Sequence, residues 1–296
     1  MKRKTVLTTT LLLTFMFSNA QVSVLKTKIE NILKDKKATV GVCIFANNYK
    51  DTLSINGNSH LPMQSVYKFP IALAVLSEID KKKFTLDQKI KITKKELLPD
   101  TWSPIRDEYP NGTTLTIAQI LTYTVSLSDN NGCDILLRLI GGTKVVEDYL
   151  SQNKITNIAI KATEAEMHKE WDVQYQNWAT PIGLNTLLIK SYDSRNTKIL
   201  SEENYKFLWK TMIETPRGNK RLKDQLPAKA IAHKIGTSGT NDANLTPAVN
   251  DIGVITLPNG ELIFISVLVS NSSENMETNE KIISDIAKAS WDYYLK

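Results

Sequence analysis

Five apolar runs with strand-like spacing sit at the two ends of the chain, and the long stretch between them reads as helix. Thr39–Ala46 (TVGVCIFA) and Thr52–Ile55 come first, joined by the polar turn Asn47–Asp51. Ala230–Lys234, Asp251–Leu257 and Glu261–Ser270 come last, the final pair around Pro258–Asn259–Gly260, a hairpin signal. Strands expose backbone donors and acceptors along both edges, so short runs of this kind must pair with one another. The two groups are therefore expected to meet in one antiparallel sheet assembled from both chain ends. A helix pattern borders each group. Leu25, Ile29, Ile32 and Leu33 recur at helical spacing between Val22 and Lys37, and Ile282, Ile283, Ile286, Ala289 and Tyr293 share one side of Asn279–Tyr294.

The middle carries the helical patterns Val66–Ile79, Thr116–Leu127, Asn131–Ile140, Val145–Leu150, Pro181–Tyr192 and Glu202–Ile213. Thr180 before Pro181 and Ser201 before Glu202 are start signals. The order predicts an α+β protein of two lobes: a sheet-and-helix lobe from 21–58 with 214–296, and a helical lobe, 59–213, inserted into it. A cleft between such lobes is a usual place for a small-molecule site. Twelve glycines among 296 residues argue against long flexible connections.

The hydrophobic share of 42% and charged share of 23% are ordinary globular values, which excludes collagen-like, largely disordered and disulfide-scaffold chains. The formal charge of +6 is partly an address. Lys2, Arg3 and Lys4 belong to a cationic start followed by the moderately apolar Val6–Phe17, then Ser18-Asn19-Ala20 before Gln21. That is the build of a cleavable export signal over residues 1–20, cut near Ala20–Gln21. Val6–Phe17 is too short to span a bilayer comfortably, although an uncleaved anchor is the alternative. Without those three bases, 34 face 31 acids, no footprint for nucleic acid. The expectation is an exported, soluble protein with no membrane attachment once the signal is removed. Cys43 and Cys133 lie in apolar runs and are read as free buried thiols rather than a bridge. His60, His168 and His233 are scattered, and HExxH, CxxC, GxxxxGK[ST] and GxGxxG are all absent, so no metal and no cofactor is expected.

Chemistry concentrates in three short patterns. Ser65-Val66-Tyr67-Lys68 enters an apolar helix, where a lysine one turn along can reach the serine hydroxyl and the helix start favours a developing oxyanion. Pro70 is tolerated in that first turn. Alone the pattern means little, since Ser151-Gln152-Asn153-Lys154 matches it equally well. Ser128-Asp129-Asn130 stands at a loop-to-helix boundary and reads otherwise as a helix cap. Lys234-Ile235-Gly236-Thr237-Ser238-Gly239 reads otherwise as an edge strand with a protective lysine. Their order and their element types favour a common site.

Ser65-xx-Lys68, Ser128-Asp129-Asn130 and Lys234-x-Gly236 resemble the three signatures of penicillin-recognising serine enzymes. Glu164-Ala165-Glu166-Met167-His168 begins thirty-six residues after Ser128, which resembles the omega-loop glutamate of class A serine β-lactamases. The resemblance covers essentially the whole chain after the signal. It implies the α/β–α sandwich of β-lactamases and transpeptidases: a five-stranded antiparallel sheet flanked by N- and C-terminal helices, with an inserted all-helical lobe carrying an omega loop at 159–178. It also implies hydrolysis of β-lactam antibiotics, cephalosporins and penicillins, through an acyl-enzyme on Ser65. Backbone N–H groups of Ser65 and Thr237 would hold the oxyanion. Lys68, with or without Glu164, would take the serine proton; Ser128 would protonate the leaving nitrogen; Glu164 would activate the hydrolytic water, leaving Glu166 a structural or solvated acid. Asn130, Lys234, Thr237 and Ser238 would bind substrate. Arg221 matches a carboxylate-binding arginine or is a surface charge, and Trp102, in Trp102-Ser103-Pro104, forms a cleft wall or a core tryptophan. The other readings are a penicillin-binding D-Ala-D-Ala peptidase and a β-lactam sensor that stays acylated.

The sequence also departs from the pattern. Ile235 replaces the usual Thr or Ser, a loss of about 1.5–3 kcal/mol if that hydroxyl bonded a charged group. His168 replaces an Asn that helps hold the water, and Ala162 an arginine that pins the omega loop. With the Trp171–Trp178 stretch (WDVQYQNW), these changes resemble the PER-type extended-spectrum branch, which implies a rearranged omega loop and a cavity that admits bulky cephalosporins.

Overall fold

The computed structural model describes residues 22–192 and 199–295; the export signal expected over 1–20 lies outside the described residues. The strands are β1 (Thr39–Ala46), β2 (Asp51–Ile55), β3 (Leu61–Pro62), β4 (Lys89–Thr93), β5 (Gly112–Thr116), β6 (Ile158–Ala159), β7 (Trp178–Ala179), β8 (Ile231–Thr237), β9 (Thr246–Thr256) and β10 (Leu262–Ser272). Ten α-helices are described. They are α1 (22–33), α2 (Lys68–Asp80), α3 (Pro104–Glu108), α4 (Ile117–Ser126), α5 (Asn130–Ile140), α6 (Thr143–Gln152), α7 (Glu164–Lys169), α8 (Pro181–Tyr192), α9 (Glu202–Ile213) and α10 (Met276–Tyr294).

The two chain ends do meet in one five-stranded sheet of order β2-β1-β10-β9-β8, antiparallel throughout. Strand alternation gives it two apolar faces. Val40, Val42 and Ile44 of β1 pair in register with Val269, Val267 and Ile265 of β10, and this face packs on Leu25 and Ile29 of α1 and Ile282, Ile283 and Ile286 of α10. Phe264, Leu268, Ile252 and Val254 face the other way, into the core shared with the central helices. Burial on both faces explains why these strands read as continuous apolar runs.

β9 begins at Thr246, five residues ahead of the expected Asp251. Pro247 and Asn250 make that stretch look like loop, but the buried Asn250 amide donates to the Pro62 and Met63 carbonyls at 2.8 and 3.1 Å. The intervening region is not all helix as expected. It also holds an antiparallel β4–β5 pair, whose Lys89–Thr93 strand alternates polar and apolar residues, and a small β3-β7-β6 sheet of two-residue strands too short to show a period. Through its centre runs α2, with eleven of thirteen residues buried, so it is apolar all round rather than amphipathic. That helix delivers its N-terminus to the edge strand β8.

Candidate active site

Ser65 lies in a single 3-10 turn, Gln64–Tyr67, that runs straight into α2. Lys68, three residues on, is fully buried beneath it. Its ammonium donates to Ser65 Oγ at 2.8 Å, to the Ser128 carbonyl at 3.0 Å and to Asn130 Oδ1 at 2.5 Å, and it pairs with Glu164 Oε1 at 2.8 Å. One cation thus touches the hydroxyl and three other elements. Gln64, at φ 47°, and Ser128, at φ 63°, hold left-handed backbone that non-glycine residues seldom adopt. Such outliers collect at functional sites.

Ser128 Oγ accepts a hydrogen bond from Lys234 Nζ at 2.9 Å. Lys234 is buried, and loss of hydration, reinforced by the Lys68 charge, drives its ammonium well below the ordinary lysine range. Between Ser128 and Asn130, Asp129 turns inward as the cap of α5. It accepts from Gly132 N at 2.7 Å, Ile105 N at 2.7 Å and Ser103 Oγ at 2.9 Å. Within this tripeptide Asp129 is the helix cap, while Ser128 and Asn130 face the Lys68 and Lys234 ammonium groups. Asn130 donates to Thr101 Oγ1 at 2.5 Å, and its backbone N–H to the Trp102 carbonyl at 3.0 Å.

Glu164 is the first residue of α7, buried at 8% exposure with its carboxylate toward Lys68. Asp134 of α5 fixes the helix start by accepting from Glu164 N at 2.8 Å and Ala165 N at 2.9 Å. Glu166 faces away. Its carboxylate completes a capping box with Thr163, and that backbone N–H holds it below the ordinary carboxylate range. The segment leaves and re-enters the fold through the β6–β7 pair, Ala159 opposite Trp178. Inside that neck the buried Asn177 side chain accepts from Lys161 N and Ala162 N at 2.8 and 2.9 Å and donates to Ala162 O at 2.8 Å. An amide here does the pinning that Ala162 cannot.

β8 closes the cleft. A Cβ on Gly236 would lie 2.4 Å from the Met63 carbonyl and 3.2 Å from Ser65 N, so only glycine lets the edge strand approach the serine turn. Together with Trp102, Ser128, Asn130, Glu164, Arg217 and Thr237, these residues surround a cleft of about 190 Å³. Trp102 is half exposed, with its indole N–H donating to the Leu127 carbonyl at 2.9 Å. The cleft therefore offers a hydroxyl with a lysine–carboxylate pair behind it, a second hydroxyl backed by another lysine, and an edge-strand backbone. That is equipment for acyl transfer.

Residues 24–294 match the family described as the beta-lactamase enzyme family. The chain belongs to that family. The β-lactamase VEB-1 of Pseudomonas aeruginosa is 60% identical over 295 residues, 99% of this chain and 98% of that protein. The extended-spectrum β-lactamase PER-1 of Pseudomonas aeruginosa is 40% identical over 299 residues, 99% and 96% of the two chains. Among solved structures, the TLA-1 extended spectrum β-lactamase superposes with a TM-score of 0.89 at 53% identity, covering 93% of this chain and 99% of that one.

Within this β-lactamase two expected substrate contacts, Arg221 and Ser238, are corrected. Arg221 is buried at 3% exposure behind β8, not in the cleft. Its guanidinium donates to Gly236 O, Asn250 O, Thr237 Oγ1 and Glu280 Oε1 at 3.1, 2.9, 2.8 and 3.2 Å. Ser238 Oγ turns to β9, accepting from Ala248 N at 3.0 Å. His168 stands exposed in the last turn of α7, one helical turn after Glu164, and makes no hydrogen bond among the described residues.

Sequence reading also missed residues. Asp134 and Asn177 carry no motif, because a lone polar residue on a helix or in a loop gives no sign of its distant partner. Gln64 Nε2 donates to Gln174 Oε1 at 2.6 Å, tying the serine turn to the omega segment. Arg217, in the turn Pro216-Arg217-Gly218, had a usable signal as a charge inside a turn beside the motif-bearing strand. Among the described residues, no group of three His, Cys, Asp or Glu could hold a metal ion, and no helix is long and apolar enough to cross a membrane. Cys43 and Cys133 are free and buried; Cys133 Sγ donates to Tyr67 Oη at 3.2 Å beneath the site.

Proposed function

We propose that this enzyme hydrolyses β-lactam antibiotics, cephalosporins and penicillins among them, through an ester on Ser65, and so confers resistance. The observation that carries the reading is Lys68 Nζ held 2.8 Å from both Ser65 Oγ and Glu164 Oε1. A serine beside that pair can lose its proton into it as Oγ attacks the lactam carbonyl carbon. The ring C–N bond then breaks, and the nitrogen takes the Ser128 hydroxyl proton, restored through Lys234 or Lys68. The backbone N–H groups of Ser65 and Thr237 stabilise the oxyanion. Glu164 removes a proton from a water that attacks the ester, and Ser65 Oγ leaves with a proton. Asn130, Lys234 and Thr237 position the substrate, and Trp102 gives it an apolar wall.

In this reading the chain is a monomer exported to the periplasm, where the drug is met before its targets, and residues 1–20 are removed on the way. The sheet-and-helix lobe (21–58 with 214–296) and the helical lobe (59–213) are the two walls of the cleft. The loss of pinning at 162, replaced by the Asn177 clamp, supports an omega segment unlike that of an arginine-pinned relative and a preference for bulky cephalosporins.

Turnover of a chromogenic cephalosporin tests the reading. The wild-type chain should cycle many times per molecule, and Glu164→Ala should accumulate a covalent adduct visible by mass spectrometry. Ser65→Ala should give neither adduct nor turnover. A single stoichiometric burst from the wild type would instead identify a peptidase or a sensor.

A further inference from the structure

Arg217 is a cation in the cleft wall with no anion. Among the described residues it forms no ion pair, whereas Lys68 faces Glu164 and Arg221 faces Glu280. Lys234 lies 2% exposed, with its ammonium on Ser128 Oγ and Ile235 O. Arg217 is only half-buried and lines the cleft.

Its placement is built rather than incidental. The guanidinium carbon sits 4.2 Å from the centre of the Trp102 ring, a cation–π contact that fixes the plane of the fork while leaving its N–H edge free. The backbone is held from two sides. Arg217 N donates to Thr215 Oγ1 at 3.3 Å, and that hydroxyl donates to Ser126 O at 2.6 Å. Gly218, at φ 75°, rests on Ile235, whose Cγ2 would lie 2.5 Å from any added Cβ. Ile235 itself offers the cleft no hydrogen bond. It instead forms the apolar seat for the turn that carries Arg217.

We infer that Arg217 is the residue that recognises the carboxylate on the ring fused to the lactam. This rests on the hydrolase reading above. A planar guanidinium matches a carboxylate in two parallel hydrogen bonds, and a cation already partly stripped of water loses less hydration on binding one. Arg217 is a specificity-determining residue, not a participant in the bond-breaking steps.

The test compares a chromogenic cephalosporin bearing its free carboxylate with the same compound as its methyl ester. In Arg217→Ala, kcat/KM for the acid should fall about tenfold or more, chiefly through KM, and that for the ester should stay near the wild-type value. Arg217→Lys should recover part of the loss, since the charge returns without the fork. An Arg217→Ala enzyme with the wild-type acid-to-ester ratio overturns the assignment while leaving the hydrolase reading intact. If the wild type turns over neither compound, the hydrolase reading falls and this inference falls with it.

Discussion

Asp134 Oδ1 and Oδ2 accept the backbone N–H groups of Glu164 and Ala165 at 2.8 and 2.9 Å, so a carboxylate on one helix sets the position of a carboxylate on another. Burial lifts Asp134 from the ordinary 3.8 to about 6, with the Glu164 charge adding to the effect. The native state therefore holds this proton more tightly than the unfolded chain does. Its contribution to stability is fully present below pH ~4 and is lost as pH rises through about 6. Urea unfolding of the wild type and of Asp134→Asn between pH 4 and 7 should show the wild type losing up to about 3 kcal/mol relative to the variant. A pH-independent difference would refute the argument. The variant should also deacylate more slowly, because its amide turns an N–H toward one of the two backbone donors.

Asn177 clamps the neck of the omega segment with three hydrogen bonds to 161 and 162. Asn177→Ala strands the backbone N–H groups of Lys161 and the buried Ala162, and the Ala162 carbonyl. It should cost about 2–4 kcal/mol in denaturant titration, and mass spectrometry should find more of the acyl adduct at steady state. Unchanged stability would show that the β6–β7 pairing alone closes the neck.

Gly236 is where strand and serine turn nearly touch. The methyl of Gly236→Ala, 2.4 Å from Met63 O, must push β8 away from Ser65 N and open the space between Ser65 N and Thr237 N, the proposed oxyanion donors. The kcat should drop by about 10²-fold or more with a smaller change in KM, as for removal of one donor. A kcat within twofold of wild type would place the oxyanion elsewhere.

These residues divide by how far their reasons lie from them in sequence. The five strands were legible because burial on both sheet faces left unbroken apolar runs, and Ser65 with Lys68 because one helical turn joins them. Glu164 was set apart from Glu166 only by resemblance; the local reason, a capping box between Thr163 and Glu166, comes from the structure. Arg221 was misplaced for the opposite reason. Its partners, Gly236, Thr237, Asn250 and Glu280, come from two strands and a distant helix, and an arginine before a turn looks alike whether it enters a cleft or backs a strand. Asp134, Asn177 and the early start of β9 share this character: polar residues whose burial is decided by chain segments far away.

Arg221 acts on the cleft through Thr237. Its Nη2 donates to Thr237 Oγ1 at 2.8 Å, which leaves the threonine proton free to point outward from the cleft wall. If that is its role, Arg221→Lys and Thr237→Ala remove the same interaction. Lysine keeps the charge but not the fork that reaches Gly236 O and Asn250 O as well. The double variant should therefore be about as slow in kcat/KM as the poorer single variant, with a coupling energy on the order of 1–2 kcal/mol. Stability should separate the two, because Arg221→Lys leaves buried carbonyls unpaired and Thr237→Ala, on an exposed residue, does not. Strictly additive losses in kcat/KM would mean that Arg221 supports β8 as a whole and does not orient the Thr237 hydroxyl.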